Sequence, residues 1–377
     1  MNLQTAVPPK FNGLDHLRTL AISLVFLFHY NILTHGQPEW LPDLIRFGWT
    51  GVDLFFVLSG FLIASQLFAA VARGQLIDFK TFFLKRFFRI IPAYLVTLLI
   101  YFCFPFFREK ESLPPLWRFL SFTQNFGLNL KETGTFSHAW SLCVEEHFYL
   151  FLPLILLFLQ FSHWMKKSWL LLIALFLAGF FIRHCAYQYG YWPVSEDESA
   201  FVYWYKFIYY PTYNRLDGLL VGVSIAAIYR FLPAVWSRLS ARGNLLIIAG
   251  LGILTAAYFL CEDNRSYAAS VFGFPAVAVG YGFVVTGALC QRSFLFKAKS
   301  GITSFVAAHS YAIYLTHKGV IHITQEALAE YSLSPNLILL ISVFTCLLAA
   351  NLLHRIVEKP FMKLRERFVR KPQPELS

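Results

Sequence analysis

Ten apolar runs divide this chain, at 14–34, 50–72, 90–107, 139–161, 168–187, 212–230, 244–260, 267–290, 303–325 and 335–356. Each is long enough to cross a hydrocarbon core about 30 Å thick as a helix. Lipid offers no hydrogen bonds, so every backbone N–H and C=O in such a run must be satisfied internally, as a helix does. The fold class expected is all-α: a polytopic membrane protein with about ten transmembrane helices. The composition agrees, since 57% of 377 residues are hydrophobic, only 14% are charged and the mean hydropathy is +0.54. The first run follows a polar dozen residues without a small-residue cleavage site, so no removed signal peptide is expected.

Charge sorts the connecting segments into two sets. The N-terminus and segments 73–89, 162–167, 230–243, 291–302 and 355–377 carry 21 Lys and Arg, Lys10 among them, against seven in the alternate loops. The positive-inside rule then puts both termini in the cytoplasm. The chain reads as one membrane domain over 1–377: a cytoplasmic N-terminus at 1–13, a bundle at 14–356 and a basic tail at 357–377. The last seven residues, KPQPELS, are expected to be disordered. A net charge of +11 would suggest nucleic acid in a soluble chain. Here it follows topology, so the bilayer is the expected partner and nucleic acid is not.

Ionisable groups inside a membrane span are costly, and each is by default a functional hypothesis. Arg18 and His29 stand eleven residues apart in the first run. That is three helical turns plus roughly 20°, so both look out of one face about 16 Å apart along the axis. In the orientation above, His29, Asp53, Glu145, Glu146, Arg215, Asp217, His317 and Lys318 fall in the outer half, and Arg18, Arg86 and Arg89 lie at the inner face. Arg86 and Arg89, in KRFFR ahead of the third run, are one turn apart and suited to gripping one anion, because guanidinium forks match phosphate. In HAWSLCVEEHFYLFLP, Ser141, Glu145 and Tyr149 recur every four residues on one face. A carboxylate in an apolar run is protonated or has a cationic partner. A His29 imidazolium is the expected partner of Glu145, giving a base held by an orienting acid. Bland alternatives stand beside these: a snorkelling Arg18, positive-inside anchoring, a buried structural pair.

The segment 187–213 packs eight Tyr and two Trp around Glu196, Asp197 and Glu198. An interfacial aromatic belt explains most of these rings, and a platform for sugar faces is the sharper reading. The six cysteines are scattered singly, with no CxxC pair and no His/Cys spacing suited to zinc, so no metal is expected. Cys185 and Cys261 fall near loop ends and could pair.

The pair Arg18-x10-His29, GWTGVDLFFVLSGFLIA at 48–64, Arg86-x-x-Arg89, WSLCVEEHFYL at 140–150, NRLDGLLVG at 214–222, SYAIYLTHKGV at 310–320 and EKPF at 358–361 together resemble the acyltransferase type 3 family, in order along nearly the whole chain. The resemblance implies a multispanning enzyme of the bacterial inner membrane that moves an acyl group, often acetyl, from cytoplasmic acyl-CoA. The acceptor it implies is a hydroxyl of a surface glycan, a lipid-linked sugar or a small glycosylated metabolite. It implies His29 as catalytic base and Arg18, Arg86 and Arg89 as contacts to the CoA phosphates. Some members carry a fused extracytoplasmic esterase-like domain, and this chain is expected to be a stand-alone member without one.

Combining both lines, His29, oriented by Glu145 or Asp53, removes the acceptor proton, and Ser141 or Tyr149 steadies the oxyanion. Arg215, Asp217 and His317 are further candidates on the acceptor side. A covalent acyl-His29 stays open beside direct transfer. The competing classes are a proton-coupled transporter using the outer-half carboxylates and a non-catalytic glycan exporter. The first predicts no need for a phosphate-gripping arginine pair, and the second predicts full function without His29.

Overall fold

The computed structural model describes residues 12–110, 112–162 and 164–369. Lys10 and the KPQPELS segment lie outside the described residues. All ten runs are helical: α1 (Asn12–Leu33), α2 (Gly51–Val71), α3 (Phe79–Cys103), α4 (Trp140–Phe161), α5 (Ser168–Cys185), α6 (Asp217–Phe231), α7 (Gly243–Leu260), α8 (Phe274–Leu289), α9 (Gly301–Leu328) and α10 (Pro335–Leu353). A further amphipathic helix, α11 (Lys359–Val369), follows a π-turn at His354–Glu358. Among the described residues there is no strand. Eight stretches there are long and apolar enough to cross a membrane, or nine if α6 counts together with Pro233–Ser240, which is bent from it by 106°. The tenth, α9, has the length but carries His309, His317 and Lys318 on buried positions. Its apolar content drops because it lines the interior.

Some boundaries differ from expectation, and one of them bears on the site. The third helix begins at Phe79, so Arg86 and Arg89 sit within it and do not precede it. Asp78 explains the early start, since its side chain accepts a hydrogen bond from the Thr81 backbone N–H at 3.0 Å and caps the helix. The helix ends at Cys103, two residues before Pro105.

Glycines set the closest approach in the bundle. A Cβ on Gly60 of α2 would lie 2.2 Å from the Leu219 carbonyl oxygen of α6. One on Gly222 would lie 2.3 Å from that of Val57. Without a hydrophobic drive between helices in lipid, such backbone-to-backbone packing supplies much of the association energy. The periphery is different: only 6% of the apolar part of Ser168–Val194 is buried, and α5 turns Ile173, Leu177 and Phe181 outward.

Candidate active site

The three arginines expected to share a ligand do line one cavity. It measures about 180 Å³ and is bounded by Arg18 of α1, Arg86 and Arg89 of α3, Ser59 of α2, Ser141, Glu145 and Tyr149 of α4, and Tyr311 and Tyr314 of α9. Arg86 donates from Nη2 to Gln66 at 3.0 Å and stands over the Tyr149 ring. Arg89 is less free, because its Nη1 lies 3.3 Å from Glu358, the carboxylate of the EKPF segment. Glu358 also receives His354 Nδ1 at 2.9 Å. Arg18 pairs loosely with Asp15, at 3.9 Å. Two hydroxyls, Ser59 Oγ and Tyr149 Oη, bond to each other at 2.7 Å, so this basic chamber also holds neutral donors.

The chamber ends at a layer made by Tyr314 and Ser141. The Tyr314 hydroxyl bonds Ser141 Oγ at 2.6 Å and donates to the His138 carbonyl. Beyond it stand three imidazoles. His29 Nδ1 and His317 Nε2 are 3.0 Å apart, and the His138 ring centroid is 4.8 Å from that of His317. His317 and His138 are buried, whereas His29 keeps part of its surface accessible. Lys318 anchors the neighbouring loop through Glu109, at 2.7 Å, and Ser137, at 3.2 Å.

The hydrogen-bond pattern fixes which nitrogen of His29 can act. His317 Nδ1 faces two backbone carbonyl oxygens, of Tyr314 at 2.8 Å and Ile313 at 3.1 Å. Carbonyls only accept, so Nδ1 of His317 carries the proton and its Nε2 offers a lone pair. His29 must then donate from Nδ1, which leaves its Nε2 unprotonated and able to take a proton. Among the described residues, no group of three His, Cys, Asp or Glu side chains is placed to hold a metal ion.

The side chain that hydrogen-bonds His29 is His317, where Glu145 or Asp53 was expected. Glu145 lies seven residues, about 10 Å of helix rise, from His138, the residue at the depth of His29. Its neighbours are the Ser59 and Tyr149 hydroxyls and the Arg86 guanidinium. Asp53 is buried against Arg215, whose Nη2 reaches both carboxylate oxygens at 2.8 and 3.0 Å. That guanidinium is caged by Phe274, Tyr209 and Trp140, at 4.1, 4.5 and 5.1 Å from the ring centroids. Asp217 pairs with Arg183 at 2.7 Å. Neither Arg215 nor Asp217 lines the chamber; they form a buried ionic girder between α2, α5 and α6. Removing one partner of such a pair strands a charge and costs about 3–5 kcal/mol. Asp53→Ala is thus expected to lower the detergent-solubilised melting temperature and the yield of monodisperse protein. A stable Asp53→Ala protein that lost only turnover would return Asp53 to the reacting groups.

Half of the ten Tyr and Trp rings in the aromatic segment are core. Tyr187, Tyr191, Trp204, Tyr209 and Tyr210 are buried, and Trp204 Nε1 donates to Ser270 at 2.9 Å. Tyr189, Trp192 and Tyr213 are its exposed rings. All six cysteines are free, Cys185 and Cys261 included. Sequence reasoning missed His138, Arg183 and Tyr314. The first lay just ahead of an apolar run, and the second was hidden near the end of one.

A cationic chamber thus abuts a histidine pair inside the helical bundle of a membrane protein. The acyltransferase domain family matches residues 11–355, and the chain belongs to that family. It is 26% identical over 376 residues to the O-acetyltransferase OatA of Staphylococcus aureus strain NCTC 8325 / PS 47, and equally so to OatA of strain COL. Both alignments take in 94% of this chain and 58% of the relative, so the chain spans little more than half the length of the curated relatives it matches. No solved structure matches it.

Proposed function

We propose that this chain is a membrane O-acetyltransferase that takes acetyl from cytoplasmic acetyl-CoA and passes it to a hydroxyl of a glycan or glycolipid on the opposite side. The observation carrying this reading is the convergence of Arg18, Arg86 and Arg89 on one chamber whose far wall backs onto the His29–His317 pair. The positive-inside count supports an arginine end facing the cytosol, and the family resemblance supports the bacterial inner membrane. Only the acyl group then crosses, and the charged donor stays where it is soluble.

In this reading the arginines hold the donor's phosphates, and its thioester reaches the Tyr314–Ser141 layer. That layer parts for the reaction. The acceptor hydroxyl arrives at the accessible face of His29, whose Nε2 takes the hydroxyl proton as the oxygen attacks the thioester carbonyl. The tetrahedral intermediate expels the CoA thiolate, which takes the proton back from His29. Ser141 or Tyr314, both hydroxyl donors at the chamber end, steady the oxyanion. The OatA relatives, named O-acetyltransferases, support acetyl as the group moved.

Mass spectrometry of surface glycans from cells with and without the gene tests the reading. O-acetyl groups are expected to disappear with the protein and to return with the wild-type copy alone, not with His29→Ala. Proton-coupled flux of an unmodified glycan, undisturbed by His29→Ala, would replace it with transport.

A further inference from the structure

Away from the arginine chamber, an apolar stripe on α4, from Phe148 to Leu159, faces another on α6, from Leu216 to Phe231. Leu172 and Leu175 of α5 close the third side. The stripes enclose a cavity of about 760 Å³, within the range of ligand pockets, roughly 300–1,000 Å³. Its lining covers about 16 Å of α4 and about 22 Å of α6, at 1.5 Å of rise per residue. One leaflet of the hydrocarbon core is only about 15 Å deep, so a groove of this length passes the midplane. Leu150, Phe151 and Leu175 on its rim are exposed, which makes it continuous with the lipid-facing surface of α4 and α5. An occupant therefore enters from the bilayer.

The mouth of the groove differs in kind. Phe126 stacks on His147 at 5.6 Å and on Tyr213 at 6.3 Å, and both Phe126 and Tyr213 are exposed. Such amphipathic ring surfaces suit the faces of a sugar. His147 Nδ1 and the Thr212 hydroxyl are 2.8 Å apart, and Asn125 donates to that hydroxyl at 2.9 Å. Asn125 and its neighbour Gln124 are buried, yet the side-chain oxygen of each has no hydrogen-bond partner among the described residues. Gln124 donates to the carbonyl of Ala139, the residue after His138. Two unused acceptors thus link the groove mouth to the imidazole cluster, and sugar hydroxyls would satisfy them.

We propose that this groove holds the lipid chain of the acceptor, a sugar carried on a chain longer than one leaflet. The sugar rests on Phe126 and Tyr213 and extends past Asn125 and Gln124 toward His29. This rests on the acetyl-transfer reading above and narrows its acceptor to a glycolipid. Holding the chain keeps the reacting hydroxyl near the imidazole instead of leaving it to diffuse.

The full chain in phospholipid nanodiscs is irradiated with N-acetylglucosamine diphosphate carried on four isoprene units and tipped with a diazirine. Cross-linked peptides are expected from 152–159 and 219–231. An excess of the same compound without the diazirine should abolish them, and its one-unit analogue should not. Ala227→Trp on α6 and, separately, Leu175→Trp on α5 fill the groove. Each is expected to lower the labelling about tenfold, as losing roughly ten carbon contacts gives. Leu175 is exposed, so that variant is not expected to unfold. Labelling spread evenly over lipid-facing helices such as α7 assigns the groove to ordinary phospholipid and overturns the proposal. Groove labelling that both tryptophan variants keep overturns it too. An unlabelled groove, with surface O-acetylation still dependent on His29, removes this site alone. Loss of that dependence removes the acetyl-transfer reading and, with it, the acceptor the groove would hold.

Discussion

His29→Ala is expected to lower acetyl transfer by about a thousandfold while leaving acetyl-CoA binding unchanged. Proton removal by a positioned base is worth about 10²–10⁴ in rate, and the structure offers His29 Nε2 as the free lone pair beside the chamber. The arginines proposed to hold the donor are unaffected by this change, so calorimetric binding should match the wild type. In the proposed mechanism His317 acts through His29, as a positioning residue. His317→Ala removes the acceptor that keeps the His29 proton on Nδ1, and turnover should fall about a hundredfold, the smaller loss of a misoriented base. His317→Gln, whose side-chain oxygen can accept the same proton, should recover part of it, which a purely structural role for His317 does not predict. Full activity in His29→Ala would end the mechanism.

The second large effect concerns the donor. Hydrogen bonds to charged groups contribute about 1.5–3 kcal/mol each, and 1.4 kcal/mol is tenfold in affinity. Arg86→Ala with Arg89→Ala should therefore weaken acetyl-CoA binding by about a hundredfold or more, with KM rising accordingly. The two singles should not be equal. Arg89 already engages Glu358 at 3.3 Å, whereas Arg86 makes its side-chain hydrogen bond to the neutral Gln66. Arg86→Ala should account for most of the loss, and Arg86→Lys should restore charge without the fork and recover only part of it. Equal affinity in the double variant and the wild type, measured by titration in detergent, would remove the arginines from the donor site.

The helices were legible because twenty apolar residues in a row have one stable solution in lipid. The start of α3 was not, since FKTFFLKRFFR is amphipathic and its helix rests on the Asp78 cap. Arg18, Arg86 and Arg89 could be placed at one depth from charge and spacing. Pairing was beyond reach: Asp53 meets Arg215 across 162 residues and His29 meets His317 across 288. Carboxylates near the depth of His29 suggested an acid partner, but tertiary packing put an imidazole there and sent Asp53 to a guanidinium. His138 sat outside the apolar run and gave no periodic signal.

The Tyr314–Ser141 closure has a consequence for the cell that contains this protein. A cationic opening on one side and an accessible imidazole on the other would, if joined by a standing water column, short-circuit the gradient across the membrane. Two hydroxyls and one carbonyl, bonded to one another, act as a stopper at rest. Under the proposed mechanism the protein stays ion-tight between turnovers and leaks, if at all, only during the brief interval in which an acyl group is in passage.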